Sequence, residues 1–256
     1  MKQVLSDYSG EHKSVYILPI GDMHIGSKAF RQEYVDQALM FARKHRNRCR
    51  IILMGDLLEN ATKTSVGKGV YDEEYPTQKQ YENAVKMFKP YADLIDGIVI
   101  GNHEMRIVKD TSFEILEEFA HRIGAHDKYL GFEGMVNFAL GDMIYSAHVW
   151  HGATGGATEG GAVNALLKMR DRSISHIYLM GHTHKLMSFK RSVNLPARGS
   201  DETRLMDMMF VNTGSSLSDE GYASMKGLSS MPLGFGVIEV FRDKRKTVFH
   251  RLDDLI

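Results

Sequence analysis

With a single cysteine, Cys49, the 256-residue chain has no internal disulfide available to it. Net charge is missing too: 32 lysines and arginines offset 32 aspartates and glutamates, so no global field draws the protein to nucleic acid or to an anionic membrane. Any such preference must be local. Apolar stretches such as residues 15–20 fall far short of the roughly twenty residues that a membrane helix needs. The first twenty residues show no basic segment leading into a long apolar one. These absences set the expectation of a cytoplasmic protein in a reducing compartment, with no membrane role. Linkers rich in proline, glycine or serine are lacking, as are internal repeats, and a single domain over residues 1–256 is expected.

What is present is an ordinary globular composition, 43% hydrophobic and 25% charged, which excludes a disordered tail or a collagen-like chain. Short β-branched runs at residues 15–20, 51–54, 98–100 and 177–180 each stop at a glycine, the pattern of buried strands. Between them Tyr34, Val35, Ala38, Leu39 and Ala42 share one helical face. Ile115, Leu116, Phe119, Ala120 and Ile123 share another, with Asp110 or Thr111 as the expected N-cap. Tyr81, Val85, Phe88 and Ala92 follow helical spacing until Pro90 interrupts it. In the second half, residues 136–140 and 143–149 flank Gly141-Asp142 as a hairpin, and strands are expected at 208–212, 236–241 and 247–252. Two sheets follow. The predicted fold is α/β, a four-layer α/β-β/α sandwich of two mixed sheets flanked by helices. Residues 60–76, 195–203 and 215–234 read as surface loops, either functional lids or decoration.

Polar residues collect where the runs end. Gly21-Asp22-Met23-His24, Gly55-Asp56-Leu57-Leu58-Glu59, Gly101-Asn102-His103-Glu104, His151-Gly152 and Gly181-His182-Thr183-His184 succeed one another along the chain. A lone aspartate or histidine at a strand end is ordinarily a turn or capping residue. Five blocks that all carry metal-ligand chemistry, nearly all at the ends of apolar strands, point instead to one crevice at the carboxyl ends of the sheet strands. Carboxylate oxygen and imidazole nitrogen without a second cysteine suit manganese, iron or zinc and argue against a thiolate zinc site.

In this order the blocks resemble the calcineurin-like metallophosphoesterase family, whose pattern is Asp-x-His, Gly-Asp, Gly-Asn-His-Glu/Asp, His-Gly and Gly-His-x-His. The likeness extends from about Val15 to Ser216. It implies that Asp22, His24, Asp56 and His184 hold a first divalent ion, and that Asp56, Asn102, His151 and His182 hold a second, with Asp56 bridging. Manganese is the first expectation, with iron or zinc as alternatives. A hydroxide shared by two ions about 3.5 to 4 Å apart would then attack a phosphoester. His103 matches the family histidine that is not a ligand; its expected role is a proton or hydrogen bond to the departing oxygen. His148 and His151 lie three residues apart on one strand, so alternation sends only one of them inward, and His151, before Gly152, fits the family pattern. Arg106 is a candidate substrate-phosphate contact. Glu59 and Glu104 are possible hydrogen-bond partners of His103, and neither is placed in the catalytic set. The glycine-rich stretch 152–161 opens a predicted helix at 162–171, whose N-terminus suits an anion or simply close packing.

The expected partner is a phosphoester, with phosphodiesters favoured. Gly-Asp-Met-His-Ile-Gly and Gly-Asp-Leu-Leu look somewhat like the DNA repair exonuclease branch, whose additional capping domain this chain does not show. Where phosphoprotein phosphatases continue their second block to Asp-Arg-Gly, this chain has Leu57-Leu58-Glu59-Asn60. A nuclease acting on DNA or RNA is therefore the alternative, and a non-catalytic protein-binding scaffold is the reading of another class. A nuclease would need basic charge to track phosphates. The clusters at residues 43–50 and 244–246 read first as solvated faces, the former where cations favour a helix C-terminus. Met206, Met208 and Met209, with Met225 and Met231 beyond, read as gap-filling core or an adaptable surface.

Overall fold

Runs that are apolar at every position need cover on both faces, and the architecture supplies it. The computed structural model describes residues 1–8, 10, 12–62, 73–153, 158–197, 199, 201–218 and 232–256. Along the chain these form β1 (Lys2–Tyr8), β2 (Ser14–Ile20), α1 (Gln32–Lys44), β3 (Cys49–Leu53), α2 (Thr77–Phe88), β4 (Ile95–Val99), α3 (Glu104–Thr111) and α4 (Ile115–Ile123). There follow β5 (Tyr129–Gly131), β6 (Glu133–Leu140), β7 (Met143–Trp150), α5 (Glu159–Met169), β8 (Ile177–Met180), β9 (Leu186–Pro196), β10 (Thr203–Ser215), β11 (Gly234–Phe241) and β12 (Thr247–Arg251).

The strands make two mixed sheets. The first runs β12-β11-β2-β3-β4-β5, parallel from β2 to β5 and antiparallel at β11 and β12. The second runs β1-β6-β7-β8-β10-β9, with β7, β8 and β10 parallel. A short ladder, Gly214 with Phe235 and Ser215 with Gly234, joins them.

Side-chain alternation divides the core into three. Val15 and Ile17 of β2 meet Val136, Tyr145, Leu179 and Val211 between the sheets. Tyr16, Leu18 and Ile20 point the other way, onto Phe41 of α1, Phe88 of α2 and Phe119 of α4. On the outer face of the second sheet, Leu166 and Met169 of α5 cover Tyr178, Met208 and Phe210. The layers are thus helix, sheet, sheet, helix, the predicted sandwich.

Several local expectations are corrected. β1, β5 and β9 escaped notice: β1 buries only alternate positions, one of them Ser6, β5 is three residues long, and β9 is an edge strand with Lys190-Arg191 at its centre. Leu195 and Pro196 therefore belong to a hairpin, not to a loop. Asp110 and Thr111 end α3 instead of capping α4. Thr111 Oγ1 donates to Ile107 O at 2.7 Å, Ser112 turns left-handed at φ 59°, and Glu114 occupies the N-cap position. Pro90 ends α2 as expected, in a 3-10 turn over Lys89–Leu94. Met206, Met208 and Met209 are buried, whereas Met225, Met231 and most of the 60–76 and 215–234 stretches lie outside the described residues.

Both basic clusters sit where strands begin. Arg46 pairs with Asp93 at 2.5 Å, Arg48 lies over the Tyr16 ring, and Arg50 pairs with Asp96 at 3.3 Å. Phe241 is opposite Ser14, so residues 244–246 share that end of the sandwich. No helix among the described residues is long and apolar enough to cross a membrane.

Leu179 is fully buried between the sheets, so Leu179→Ala is expected to lower unfolding free energy by about 2 to 5 kcal/mol in urea titrations. A loss below about 1 kcal/mol would mean that this layer collapses around the cavity.

Candidate metal centre

Parallel strands carry their carboxyl ends to one side, and five of those ends meet there. Asp22 and His24 follow β2, Asp56 follows β3, and Asn102 and His103 lie between β4 and α3. His151 follows β7; His182 and His184 follow β8. Close backbone approach explains the glycines: a Cβ on Gly101 would lie 2.1 Å from Asp56 Oδ1, and one on Gly181 would lie 2.6 Å from Asp22 Oδ2. The same crowding bends the chain. Asp22, His24, Asp56, His182 and His184 all take left-handed backbone, with φ between 47° and 66°, at about 1 to 2 kcal/mol each. Strain of that size persists only where surrounding contacts over-determine the conformation.

Those contacts cross between the sheets. His182 N donates to both oxygens of Asp22, at 3.0 and 2.9 Å, and Ser215 Oγ donates to Asp22 O at 2.8 Å. His151 Nδ1 donates to Met54 O at 2.7 Å. Past the strand ends the first two blocks remain paired, with Met23 N and His24 N donating to Asp56 O at 2.9 and 3.0 Å.

Two groups of side chains result. Asp22, His24 and His184 bring ligand atoms together, with His184 Nε2 3.4 Å from Asp22 Oδ1 and 3.3 Å from His24 Nε2. Asp56, His151 and His182 form the other, completed by Asn102 Oδ1 at 3.1 Å from His151 Nε2 and 2.7 Å from His182 Nδ1. Asp56 Oδ2 lies between them, 3.8 Å from His24 Nε2 and 3.3 Å from His151 Nε2. Asp56 is 1% exposed and Asp22 is 0% exposed.

The electrostatics suit cations. Against the burial that would raise it, His151, then His103 and His24, hold the Asp56 carboxyl well below the usual range. His184 likewise lowers the Asp22 carboxyl against the burial that would raise it. Conversely, against burial, Asp56 lifts His151 to about 10. The tautomers fit metal coordination as well. His24 Nδ1 is tied to Glu59 Oε2 at 3.0 Å and His151 Nδ1 to Met54 O, which leaves both Nε2 atoms free to ligate beside Asp56 Oδ2.

His103 stands at the rim of this cluster. Its Nδ1 donates to Glu59 O at 2.6 Å, and Arg106 Nη2 donates to its Nε2 at 2.8 Å. Burial, with His24 beside it, pushes its pKa down to about 4. His148 turns outward from β7, to Ser173 Oγ at 2.9 Å and Glu133 Oε2 at 3.3 Å, while His151 turns into the cluster.

Two residues left out of the catalytic set prove central to the geometry. Glu59 orients His24 through its carboxylate and His103 through its carbonyl. Glu104 is fully buried and accepts from Asp56 N, Leu58 N and Gly101 N at 2.9, 3.0 and 3.1 Å, while burial raises its pKa to about 7. Their presence in the second and third blocks was the available signal. Of the glycine-rich stretch 152–161, residues 154–157 lie outside the described residues; α5 begins at Glu159, capped by Thr158.

No family model and no curated protein matches the chain. Solved structures similar to it include a predicted phosphoesterase from Streptococcus pneumoniae TIGR4, at 15% identity over 94% of this chain and 91% of that one, with a TM-score of 0.41. A metallophosphoesterase from Sphaerobacter thermophilus has 14% identity over 93% and 88%, with a TM-score of 0.44. Vps29 from Entamoeba histolytica complexed with zinc has 14% identity over 93% and 99%, with a TM-score of 0.41. Likenesses at these values carry no conclusion about activity, which rests on the residues above.

His151→Ala is expected to lose bound metal by elemental analysis, whereas His148→Ala keeps it and loses only stability; the reverse pattern would exchange their assignments. Glu104→Ala strips three buried amides of their acceptor and is expected to lower urea stability of the metal-free protein by about 3 kcal/mol or more. A loss within about 0.5 kcal/mol would show that those amides find other partners.

Proposed function

We propose that this chain is a metal-dependent phosphoesterase, with phosphodiesters as its favoured substrates, whose centre holds two divalent ions in a single domain. The observation that carries this reading is the placement of Asp56 Oδ2 between two nitrogen-and-oxygen groups, 3.8 Å from His24 Nε2 and 3.3 Å from His151 Nε2. Asp22, His24, Asp56 and His184 would hold one ion, and Asp56, Asn102, His151 and His182 the other. Manganese suits this donor set, with iron or zinc as alternatives. Two such ions would supply charge for the phosphoryl oxygens and a water of lowered pKa.

The chain's own residues do the remaining work. Arg106, held by His103 Nε2 and by Glu59 O at 3.2 Å, offers N–H donors to a phosphoryl oxygen. Transfer of the guanidinium to substrate uncovers His103 Nε2, whose ring is kept in register by Glu59 O. Once released from Arg106, Nε2 would take up a proton from solvent and His103 would deliver that proton to the leaving oxygen. Asp22 and Asp56 are fixed by backbone amides and need no reorganisation when charge develops. The nuclease alternative gains no support from the basic clusters, which lie at the other end of the strands with Arg46, Arg48 and Arg50 already engaged.

Bis-p-nitrophenyl phosphate and p-nitrophenyl phosphate, assayed with manganese and with chelator, test the reading. Turnover is expected with manganese only, greater for the diester, and abolished with loss of metal in Asp56→Asn. His103→Gln is expected to keep its metal and lose about a hundredfold to ten-thousandfold in kcat. Metal-loaded wild-type protein that hydrolyses neither ester would overturn the assignment.

A further inference from the structure

Glu59 has one carboxylate oxygen without a partner. Its Oε2 accepts from His24 Nδ1 at 3.0 Å. Its Oε1 takes no hydrogen bond among the described residues: His103 Nδ1 is 3.6 Å away and Arg106 Nη1 3.8 Å, both beyond hydrogen-bond reach. His103 Nδ1 gives its proton to the Glu59 carbonyl instead. The side chains of Glu59 and His103 are 22% and 13% exposed, so both can be reached from solvent, whereas Asp22 and Asp56 are buried.

A spacing too long for a hydrogen bond suits a different contact. Two ligand atoms each about 2.1 Å from one divalent ion, at the tetrahedral angle, stand about 3.4 Å apart. Glu59 Oε1 and His103 Nδ1 are 3.6 Å apart, and ligand atoms of His24, Glu59 and His103 all lie within 4.8 Å of one another. The fold holds this pair in place. Glu59 N donates to Ile25 O at 3.0 Å, His103 N donates to Asp56 Oδ1 at 2.8 Å, and the His103 ring packs edge-on against His24 with centroids 4.2 Å apart.

We propose that Glu59 Oε1 and His103 Nδ1 form a third divalent-cation site, separate from the two groups that Asp56 joins, through which excess metal shuts the centre off. Two protein ligands, with water in the remaining positions, make it weaker than the four-residue sites. Glu59 Oε2 keeps its bond to His24, so the first ligand set stays intact. What changes is His103. With an ion at Nδ1 the neutral ring carries its one proton on Nε2, the atom that otherwise accepts from Arg106. The proton has moved between ring nitrogens, with none gained or lost. Arg106 must then turn away, and the ring cannot take up the second proton that the leaving oxygen needs. The shut-off rests on the phosphoesterase reading; the ion site does not.

Calorimetric titration of the metal-free protein with zinc, which suits imidazole and carboxylate together, tests the site. Wild-type protein is expected to bind two equivalents tightly and a third more weakly. His103→Ala is expected to lose the third alone, and Glu59→Gln to lose it as well. Arg106→Ala should tighten the third equivalent, because it removes the guanidinium that stands 3.8 Å from Oε1 and holds the competing tautomer. A wild-type stoichiometry of two, or a third equivalent that survives His103→Ala, overturns the site; if Glu59→Gln disturbs the tight sites through His24, the His103→Ala result decides. In turnover of bis-p-nitrophenyl phosphate, kcat should rise with manganese to two equivalents and fall in excess, and the residual turnover of His103→Ala should show no such fall. A third equivalent bound without loss of turnover would overturn the shut-off. Failure to hydrolyse the ester at any manganese level would count against the phosphoesterase reading, and the zinc stoichiometry would still decide the site.

Discussion

A carboxylate buried among imidazoles, Asp56, is the constraint on which the rest of the site depends. Removing that charge from water is costly unless positive charge and hydrogen-bond donors surround it. His151 and His24 supply the charge, and His103 N donates to Asp56 Oδ1 at 2.8 Å. The backbone that carries Asp56 is held in turn by Glu104. The supports come from three other strand ends, those of β2, β4 and β7, so the carboxylate that follows β3 can be satisfied only when all four strands are in place.

The sandwich provides the stiffness this requires. Five left-handed, non-glycine residues sit at the candidate ligands, and a loosely packed scaffold would let them relax. Close packing between the sheets and under the helices prevents that, while glycines at Gly101 and Gly181 admit the carboxylates without collision. Strain, burial and close approach thus coincide at one end of the strands. At the other end, arginines are engaged with Asp93, Tyr16 and Asp96.

Much of this was legible in the chain because period-two burial and glycine punctuation are local signals. The strands buried on both faces, such as Ser14–Ile20 and Ile177–Met180, advertise themselves as continuous apolar runs. Edge strands do not. β9 exposes most of its side chains and carries Lys190-Arg191 at its centre, which protects an edge and hides a strand. The Asp110 and Thr111 caps were misplaced for a related reason: a short polar residue ends one helix as readily as it begins another, and only the path of the chain at Ser112 distinguishes them.

By itself the sequence determined the two-sheet sandwich and the set of polar blocks at its strand ends, since hydrophobic period and residue chemistry are properties of short segments. Tertiary structure alone decided which atoms face one another: that His151 turns toward Asp56 while His148 turns to Ser173, and that Glu59 holds two histidines from different strands. It also decided that Glu104 clamps three amides and that Lys185 lies buried against the start of α5. Contacts at this site join residues as many as 193 positions apart, and their geometry follows from sheet register and crossover direction, which no short segment encodes.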